Sequence, residues 1–544
     1  MRIPMFPTLL VFALIAACGT TSPPNDAAVD ARPMFTPRMC GAAYEASIGP
    51  GHACTRVGAT VTATAGEWPD TTAAAAPIVF VRAGSVGGNG SMASPFGDIA
   101  AALAAMPAPG TVAIARGAYP LAAPLRLSGA IALLGTGPTG GTTLNAANEV
   151  TAITVAASAT VTLAGLAIHH NAATMMPPEI GIDVANLAVV TIRDVAIDGG
   201  SLGITTVGAV VIANELTVRN TGSTAIGLDQ NSRGIFTDLL VRDGFNGIVT
   251  VGSHIHITRG LIMENQRAGL NMTGVPNASG GARSCGAMPD LTQPTGAFNC
   301  LSYVEVLCDA GQGLSVNGAI QLDLRRVSVS GTRGIAGMGR GFGLRASGGA
   351  TVSIDTDIMS VDQRGQGSEF VGNVSLGIVA QGGGTRLTMH GALVASNGGG
   401  GVYLGESAVA MDLRFNRIAD NSAVGVAVTQ SATLMMFGSN AVEDTRQGTV
   451  MAGGMLSQDL GDGLAVAMGS GPVNIVQSDF SRNARFPVML AAVSGQFVDN
   501  TGTGNRFGVG LYNSPGLTQM GNSIEGRESP PTSPGVVVDP SLAR

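Results

Sequence analysis

The sequence predicts an all-β solenoid: a right-handed parallel β-helix of about 13–15 coils, with a short helix capping its amino-terminal end. Three observations predict it. A glycine followed by a large aliphatic residue returns at a nearly fixed spacing, short runs of alternating apolar and polar residues follow, and 79 glycines stand beside only 4% aromatic residues. The chain of 544 residues is too long for one ordinary compact core, unless that core is elongated.

The glycine–aliphatic pair sets the period of the repeat. Gly181 and Gly203 are 22 residues apart, and Gly377 and Gly401 are 24 residues apart. A fixed period of about 20–50 residues is typical of a solenoid, a propeller or an array. The series consists of Gly181-Ile182, Gly203-Ile204, Ile226-Gly227 in reversed order, Gly247-Ile248, Gly269-Leu270, Gly313-Leu314, Gly343-Leu344, Gly377-Ile378, Gly401-Val402, Gly425-Val426, Gly463-Leu464 and Gly508-Val509.

The alternating runs favour a solenoid over a propeller or an array. Runs such as VVTIRDVAID (189–198) and VIANELTVRN (211–220) alternate with a period of two, which predicts strands with one buried face. Each repeat is too short for a helix and two strands, but three short strands and three bends fit. One such coil cannot bury its apolar face alone, whereas coils stacked about 4.8 Å apart bury it continuously.

Asparagines often end the second run of a coil. Asparagine tolerates tight bends and can stack amide to amide along parallel coils, so we expect a structural ladder, with a ligand-binding row as the alternative. The residues concerned are Asn220, Asn265, Asn397, Asn421, Asn483 and Asn500.

The start of the repeat domain reads as a strand, a glycine-rich turn, a short helix from about Pro95 to Met106 and a further strand. Together with the coil length, this opening resembles the right-handed parallel β-helix, or pectin-lyase-like, superfamily. In such proteins a helix commonly covers the first coil. The resemblance spans residues 78–527 and is followed by a tail at 528–544. It implies a fold but no particular activity.

The amino-terminal sequence predicts the cellular location of the protein. Arg2 precedes an apolar stretch at 5–17 that is too short to span a bilayer, and Ile15-Ala16-Ala17-Cys18 resembles the lipobox of bacterial lipoproteins. This resemblance implies a signal peptide at 1–17, acylation of Cys18 and a membrane partner reached through the lipid anchor. Residues 18–77 then form a tether and a small cysteine-containing segment. Gly19, rather than an aspartate, follows the cysteine, so we expect an outer-membrane lipoprotein of the cell envelope.

Five cysteines remain after Cys18, in a compartment where disulfides persist. We expect Cys40 to pair with Cys54 and Cys285 with Cys300, which leaves Cys308 as a small buried side chain. A zinc site is disfavoured, because no Cys-x-x-Cys occurs and no histidine has matching spacing.

The charge pattern disfavours nucleic acid as a partner. The net charge is −7, only 12% of the residues are charged, and no basic run provides the positive footprint that phosphate binding needs. All 29 basic residues are arginine, which a GC-rich coding bias explains as well as any function.

The histidines and acidic residues give weak signals for a metal or an acid–base site. Alternation in HIHITRGLIM puts His254 and His256 on an outer strand face, which we expect to be solvated. Asp194, Glu215 and Asp238 occupy equivalent places in successive coils, where arginines such as Arg193, Arg219 and Arg242 would neutralise them, with calcium as the alternative.

A further carboxylate pair, Asp355 and Asp357, is expected on one strand face, where it serves solubility, with a general acid–base pair as the alternative. No cofactor is predicted.

The strands after the glycine pairs present a candidate ligand face, because enzymes of this superfamily often work from one sheet. Outward positions include Asn271, Ser315, Arg345 and Tyr403. The catalytic signatures of polygalacturonases, of alginate epimerases and lyases, and of pectate lyases are absent from the sequence, and no catalytic residue is predicted. We therefore expect a non-enzymatic binding, adhesion or structural protein that contacts glycans or other envelope partners. The alternative is a polysaccharide lyase or glycoside hydrolase with an unrecognised site.

Overall fold

The computed structural model describes residues 45–47, 54–59, 66–170, 178–274, 299–334, 341–452, 455–467 and 469–532. Within these ranges the chain winds into a stack of parallel strands that begins at Ile78 and ends at Glu528. The helices there are α1 (Ile99–Ala105) and a 3-10 turn (Val361–Gln363). Neither combines the length and apolar character that a membrane span requires.

The first sheet, called sheet 1, contains 15 described strands from successive coils, and every neighbouring pair is parallel. This sheet carries the glycine–aliphatic pairs. Its strands are Leu125–Leu127, Ile153–Val155, Ile180–Val184, Leu202–Val207, Thr224–Asp229, Asn246–Val251, Ala268–Thr273, Gln312–Asn317, Phe342–Ser347, Leu376–Gln381, Gly400–Gly405, Val424–Val428, Asp462–Val466, Val488–Ala491 and Gly510–Tyr512.

The other two sheets meet along a bend. In six coils one long strand crosses the bend: Thr160–His170, Val189–Asp198, Val210–Arg219, Arg233–Arg242, His254–Met263 and Asn299–Leu307. Sheet 2 lies before the bend and adds Ile78–Val81, Gly110–Ile114, Ala130–Leu134, Gln321–Arg325, Thr351–Ile354, Arg386–His390, Val409–Arg414, Thr433–Met436, Val473–Val476, Ser494–Val498 and Gly516–Met520. Sheet 3 lies after it and adds Gly117–Leu121, Thr142–Ala146, Ser328–Ser330, Glu369–Val371, Leu393–Ala395, Arg417–Ala419, Ala441–Glu443, Asp479–Ser481, Thr501–Phe507 and Ser523–Glu528.

The interior of the rod is a set of aliphatic columns. Ile204, Ile226 and Ile248 are register partners in successive strands of sheet 1, and all three side chains are fully buried. Stacking of like residues at the strand spacing buries each against the coils on both sides, which a single coil cannot achieve. This register confirms the predicted parallel β-helix.

The predicted capping helix is present but shorter than expected. Asp98 caps α1 by accepting hydrogen bonds from the amides of Ala100 and Ala101. The helix buries Ile99 and Ala102 in the same core cluster as Val81 of the first strand. It therefore supplies apolar contacts that the first coil would otherwise lack.

The asparagine ladder is also present, at two corners of the coil. At the corner between sheets 3 and 1, the Nδ2 of Asn397 donates to the Oδ1 of Asn421 over 2.9 Å. At the bend between sheets 2 and 3, Asn500 donates in the same way to Asn522. Asn220 is the exception: it adopts a left-handed conformation at φ 57°, one residue before the ladder position, and binds Asp198. Sequence reasoning missed the rungs Asn373, Asn416, Asn440, Asn505 and Asn522.

Two antiparallel hairpins stand outside the stack. One joins Glu45–Ser47 to Cys54–Arg56 and lies against strands 254–263 and 299–307. After it, the amide of Gly58 donates to the carbonyl of Asp238. The other hairpin joins Gly448–Ala452 to Met455–Leu460, just before a strand of sheet 1. Both hairpins change which outward-facing positions reach solvent.

Candidate polar ligand face

Three of the four residues predicted for the ligand face lie side by side on sheet 1. Asn271 pairs with Ser315, and Ser315 pairs with Arg345, in three consecutive strands. Their strand neighbours Leu270, Leu314 and Leu344 are fully buried, so alternation turns the polar side chains outward. At the usual spacing of parallel strands, this column extends over about 10 Å.

A second outward column, which sequence reasoning missed, runs beside the first. Asn246, Ala268 and Gln312 are register partners, and the next member, Phe342, packs against other outward residues. This column could have been recognised from the sequence, because its residues start the strands that carry the glycine–aliphatic pairs. Together the two columns make a polar face, which we define as Asn246, Asn271, Gln312, Ser315 and Arg345.

Arg345 is the cationic residue of the polar face. Its side chain is half-buried, and its Nε is inaccessible to solvent and has no hydrogen-bond partner within the described part of the chain. Among the described residues it makes no ion pair, whereas Arg259, Arg417 and Arg485 all pair with carboxylates. A partly desolvated guanidinium without a counterion favours an anionic group from outside, because a carboxylate on its Nη1 and Nη2 would supply the missing charge.

The prediction for Tyr403 is wrong. Tyr403 faces outward in the same register, one strand beyond Val379, but only 1% of its surface is exposed. Its hydroxyl hydrogen-bonds to the Thr429 hydroxyl over 2.8 Å. It belongs to a buried outer cluster that consists of Phe342, Leu376, Val379, Tyr403, Ala423, Val424, Ala427, Leu460, Ala465, Phe486 and Met489. Leu460 closes the second hairpin, so this part of sheet 1 is packed rather than open.

The outer-face histidines are not solvated as predicted. His254 and His256 do lie on the outer face of sheet 2, but His256 is only 7% exposed. Burial lowers the pKa of both imidazoles, and Arg233 adds to the effect at His254. The first hairpin packs against this strand, and alternation alone does not reveal such a cover.

The stacked carboxylates occupy one bend, as expected. Asp194, Glu215 and Asp238 adopt left-handed conformations at φ 50°, 57° and 54°. Asp238 accepts a hydrogen bond of 2.7 Å from the Nε of Arg259, the next residue of the column, rather than from the arginines named from sequence. Within the described ranges, no group of three or more metal-binding side chains is placed to hold an ion such as calcium.

The predicted pairing of Asp355 with Asp357 on one strand face is wrong. The strand ends at Ile354, and Asp355 takes a left-handed conformation with a fully buried side chain. It accepts hydrogen bonds from the amides of Arg326 and Ser368, so it organises a bend. Burial nevertheless raises the pKa of its carboxyl above the ordinary value.

The cysteines differ from expectation in one respect. Cys300 and Cys308 are both buried, and neither is a free thiol because both are disulfide-bonded. Cys300 lies before the bend of this strand at Tyr303 and Cys308 lies just past the strand's far end, so they are too far apart to be bonded to each other. The expectation of a free Cys308 is therefore wrong. Cys18, Cys40 and Cys285 lie outside the described residues, as does the side chain of Cys54, and the two predicted pairings stay predictions.

The comparisons with known proteins find low-identity likenesses to solved structures. No family model matches the chain, and no curated protein matches it. Among solved structures, the chain is similar to the A-module of mannuronan C-5 epimerase AlgE4 from Azotobacter vinelandii, with 15% identity and a TM-score of 0.33 over 84% of this chain and 98% of that one.

Two further structures show a similar likeness. A rhamnogalacturonan lyase has 9% identity and a TM-score of 0.34, over 57% of this chain and 82% of that one. Tailspike protein 3 of bacteriophage CBA120 has 12% identity and a TM-score of 0.34, over 84% of this chain and 62% of that one. At these values the likeness carries no argument about activity. The parallel pairing of neighbouring strands throughout the described stack shows that the chain is a parallel β-helix protein.

Proposed function

We propose that the protein binds an extended anionic polysaccharide along the polar face of sheet 1, with a sugar carboxylate on Arg345. The observation that carries this proposal is the half-buried guanidinium without a counterion, in register with Ser315 and Asn271. Hydroxyl and amide side chains at strand spacing suit the hydroxyl groups of a sugar chain. A carboxylate supplies the charge that Arg345 lacks.

The arrangement of carboxylates favours binding over hydrolysis. The described strands of sheet 1 contain Asp183, Asp229 and Asp462. Asp462 is buried and accepts a hydrogen bond from Arg485 over 2.7 Å. Asp183 and Asp229 lie two strands apart in adjacent outward columns, roughly 12 Å from one another. Glycosidases place their two carboxyl groups about 5–10 Å apart, so this face lacks their geometry.

The experiment is a binding and turnover assay on one set of glycans. Purified protein is presented with polyuronates and with neutral glucans of equal length, and release of reducing ends and of unsaturated products is followed. We expect binding to the polyuronates, none to the neutral glucans, and no product. Product release would establish the alternative, a polysaccharide lyase or glycoside hydrolase. Absence of binding to every glycan would refute the proposal.

We further propose that the chain is anchored in the cell envelope, as an outer-membrane lipoprotein acylated at Cys18. The support is the sequence itself: the apolar stretch at 5–17 and the Ile15-Ala16-Ala17-Cys18 pattern. An anchored rod would present its polar face to envelope polysaccharide.

A further inference from the structure

The ladder between sheets 3 and 1 follows one hydrogen-bonding rule. The Oδ1 of each asparagine accepts from the preceding rung, and its Nδ2 donates to a backbone carbonyl of the preceding coil. Asn421 illustrates the rule: its Oδ1 accepts from the amide and Nδ2 of Asn397, and its Nδ2 donates to the carbonyl of Val394 over 2.8 Å. Val394 is three residues before the preceding rung, and Asn397 donates equivalently to Phe370.

Asp309 occupies a rung of this ladder. Its Oδ1 accepts from the amide of Asn265 over 2.8 Å and from the Nδ2 of Asn265 over 3.0 Å, as an asparagine rung would. The residue is fully buried. The Oδ1 of Asp309 therefore accepts the same hydrogen bonds as the Oδ1 of an asparagine rung. Asp309 differs from an asparagine rung at its other oxygen, Oδ2.

The Oδ2 of Asp309 sits where other rungs carry Nδ2. In five coils the glycine of the glycine–aliphatic pair faces the Nδ2 of a ladder asparagine: Gly247 and Asn265, Gly343 and Asn373, Gly377 and Asn397, Gly401 and Asn421, Gly463 and Asn483. Gly269 instead faces the Oδ2 of Asp309. That oxygen is buried and has no hydrogen-bond partner among the residues that the structure describes. By the ladder rule, the carbonyl it meets is that of Ile262, three residues before Asn265.

We infer that Asp309 is a neutral carboxylic acid in the folded protein, whose Oδ2 proton replaces an asparagine N–H and donates to the Ile262 carbonyl. Ionisation would set a negative oxygen against a carbonyl oxygen inside the rod, with nothing to compensate it. Asp309 thus makes the stability of the central coils sensitive to pH. This inference does not depend on the proposed function.

The surrounding charges agree with this assignment. Burial raises the pKa of Asp309 well above the ordinary value of 3.8, and Glu264 on the preceding coil raises it further. The hydrogen bonds from Asn265 and the charge of Arg333 on the next coil act in the opposite direction. Because the folded-state pKa is raised, the stabilisation is fully present below pH 3.8 and is lost as the pH rises through the folded pKa.

The test compares Asp309→Asn with wild type, as full-length protein, by thermal unfolding between pH 4 and pH 8. An asparagine restores the missing donor and removes the ionisation. We expect the variant to unfold at least about 2 °C higher than wild type at pH 8 and to lose less stability as the pH rises. Infrared spectroscopy of wild type at pH 7 should show a protonated carboxyl band that is weaker in the variant.

Asp462→Asn is the matched control. Asp462 is also a fully buried acid of raised pKa, but it is hydrogen-bonded to Arg485. Its replacement removes the carboxylate that pairs with the Arg485 guanidinium and should lower the unfolding temperature at every pH. The inference is overturned if Asp309→Asn is less stable than wild type at pH 8, if Asp309→Asn and wild type have the same pH profile, or if the carboxyl band of the Asp309→Asn variant is as strong as that of wild type.

Discussion

Gly401 packs against the side-chain amide of Asn421 in the next coil, so closely that a Cβ on Gly401 would lie 3.0 Å from Nδ2. The same Cβ would also press against the carbonyl oxygen of Gly425. The repeat visible in the sequence therefore has a steric cause. In five coils the glycine of the pair leaves room for a ladder asparagine, and the aliphatic residue after it enters the core.

This relationship predicts the effect of filling the space. Gly401→Val should destabilise the protein by about 1–3 kcal/mol, because the added atoms displace a ladder amide and a backbone carbonyl that cannot retreat. Gly383→Ala is the control, since a Cβ there meets nothing within 4 Å. Denaturant unfolding of both variants measures the difference. Equal stabilities would contradict the steric explanation.

The interior columns predict a larger effect. Ile226→Asp places a charge between Ile204 and Ile248, where no partner exists, and should cost about 4 kcal/mol or more. Asp229→Asn, at an outward position of the same strand, should change stability by less than about 0.5 kcal/mol. Limited proteolysis would add a second readout, because damaged coils should be cleaved first. An Ile226→Asp variant as stable as wild type would mean that Ile204, Ile226 and Ile248 do not stack inside the rod.

Burial of His254 and His256 predicts that the protein loses stability as the pH falls. Burial holds the pKa of His254 and His256 below 6.5, so their contribution is present above pH 6.5 and is lost as the pH falls through the lowered folded-state pKa. A His254→Gln, His256→Gln double variant should lose less stability than wild type between pH 7.5 and pH 5. His169→Gln changes an exposed imidazole and serves as the control. Parallel pH profiles for wild type and the double variant would refute the prediction.

The anchoring proposal predicts a change of location. Cys18→Ser should abolish incorporation of a fatty-acid analogue and release the protein from the membrane fraction, because the acylated thiol is lost. Cys54→Ser controls for loss of a cysteine elsewhere. Unchanged labelling of the Cys18 variant would exclude the lipoprotein assignment.

The sequence predicted the interior of the rod well, because each coil of a β-helix repeats the same pattern of residues. Gly401 and Ile226 each satisfy a local steric rule that returns with the period. Asn397 was predicted as a ladder rung for the same reason. Asn373 was missed because it follows no long alternating run, although it follows a left-handed residue, as the other rungs do.

The outer surface was predicted less well, for a physical reason. Alternation shows which side of a strand a residue faces, but not what covers that side. His256 and Tyr403 both face outward as predicted, yet a hairpin from another part of the sequence packs near each of them. Arg345 lies beyond the edge of the buried outer cluster. Its outward-facing side chain therefore remains half-exposed.

The central claim is that Arg345 receives a carboxylate of a bound polysaccharide. Calorimetric titration with a polyuronate oligosaccharide tests it on wild type, Arg345→Gln and Arg386→Gln. Arg386 is an exposed arginine of sheet 2, so its variant carries the same change of charge on another face. The proposal predicts at least about tenfold weaker binding, or about 1.4 kcal/mol, for Arg345→Gln alone. Equal affinities for all three proteins, or equal losses in both variants, would contradict it.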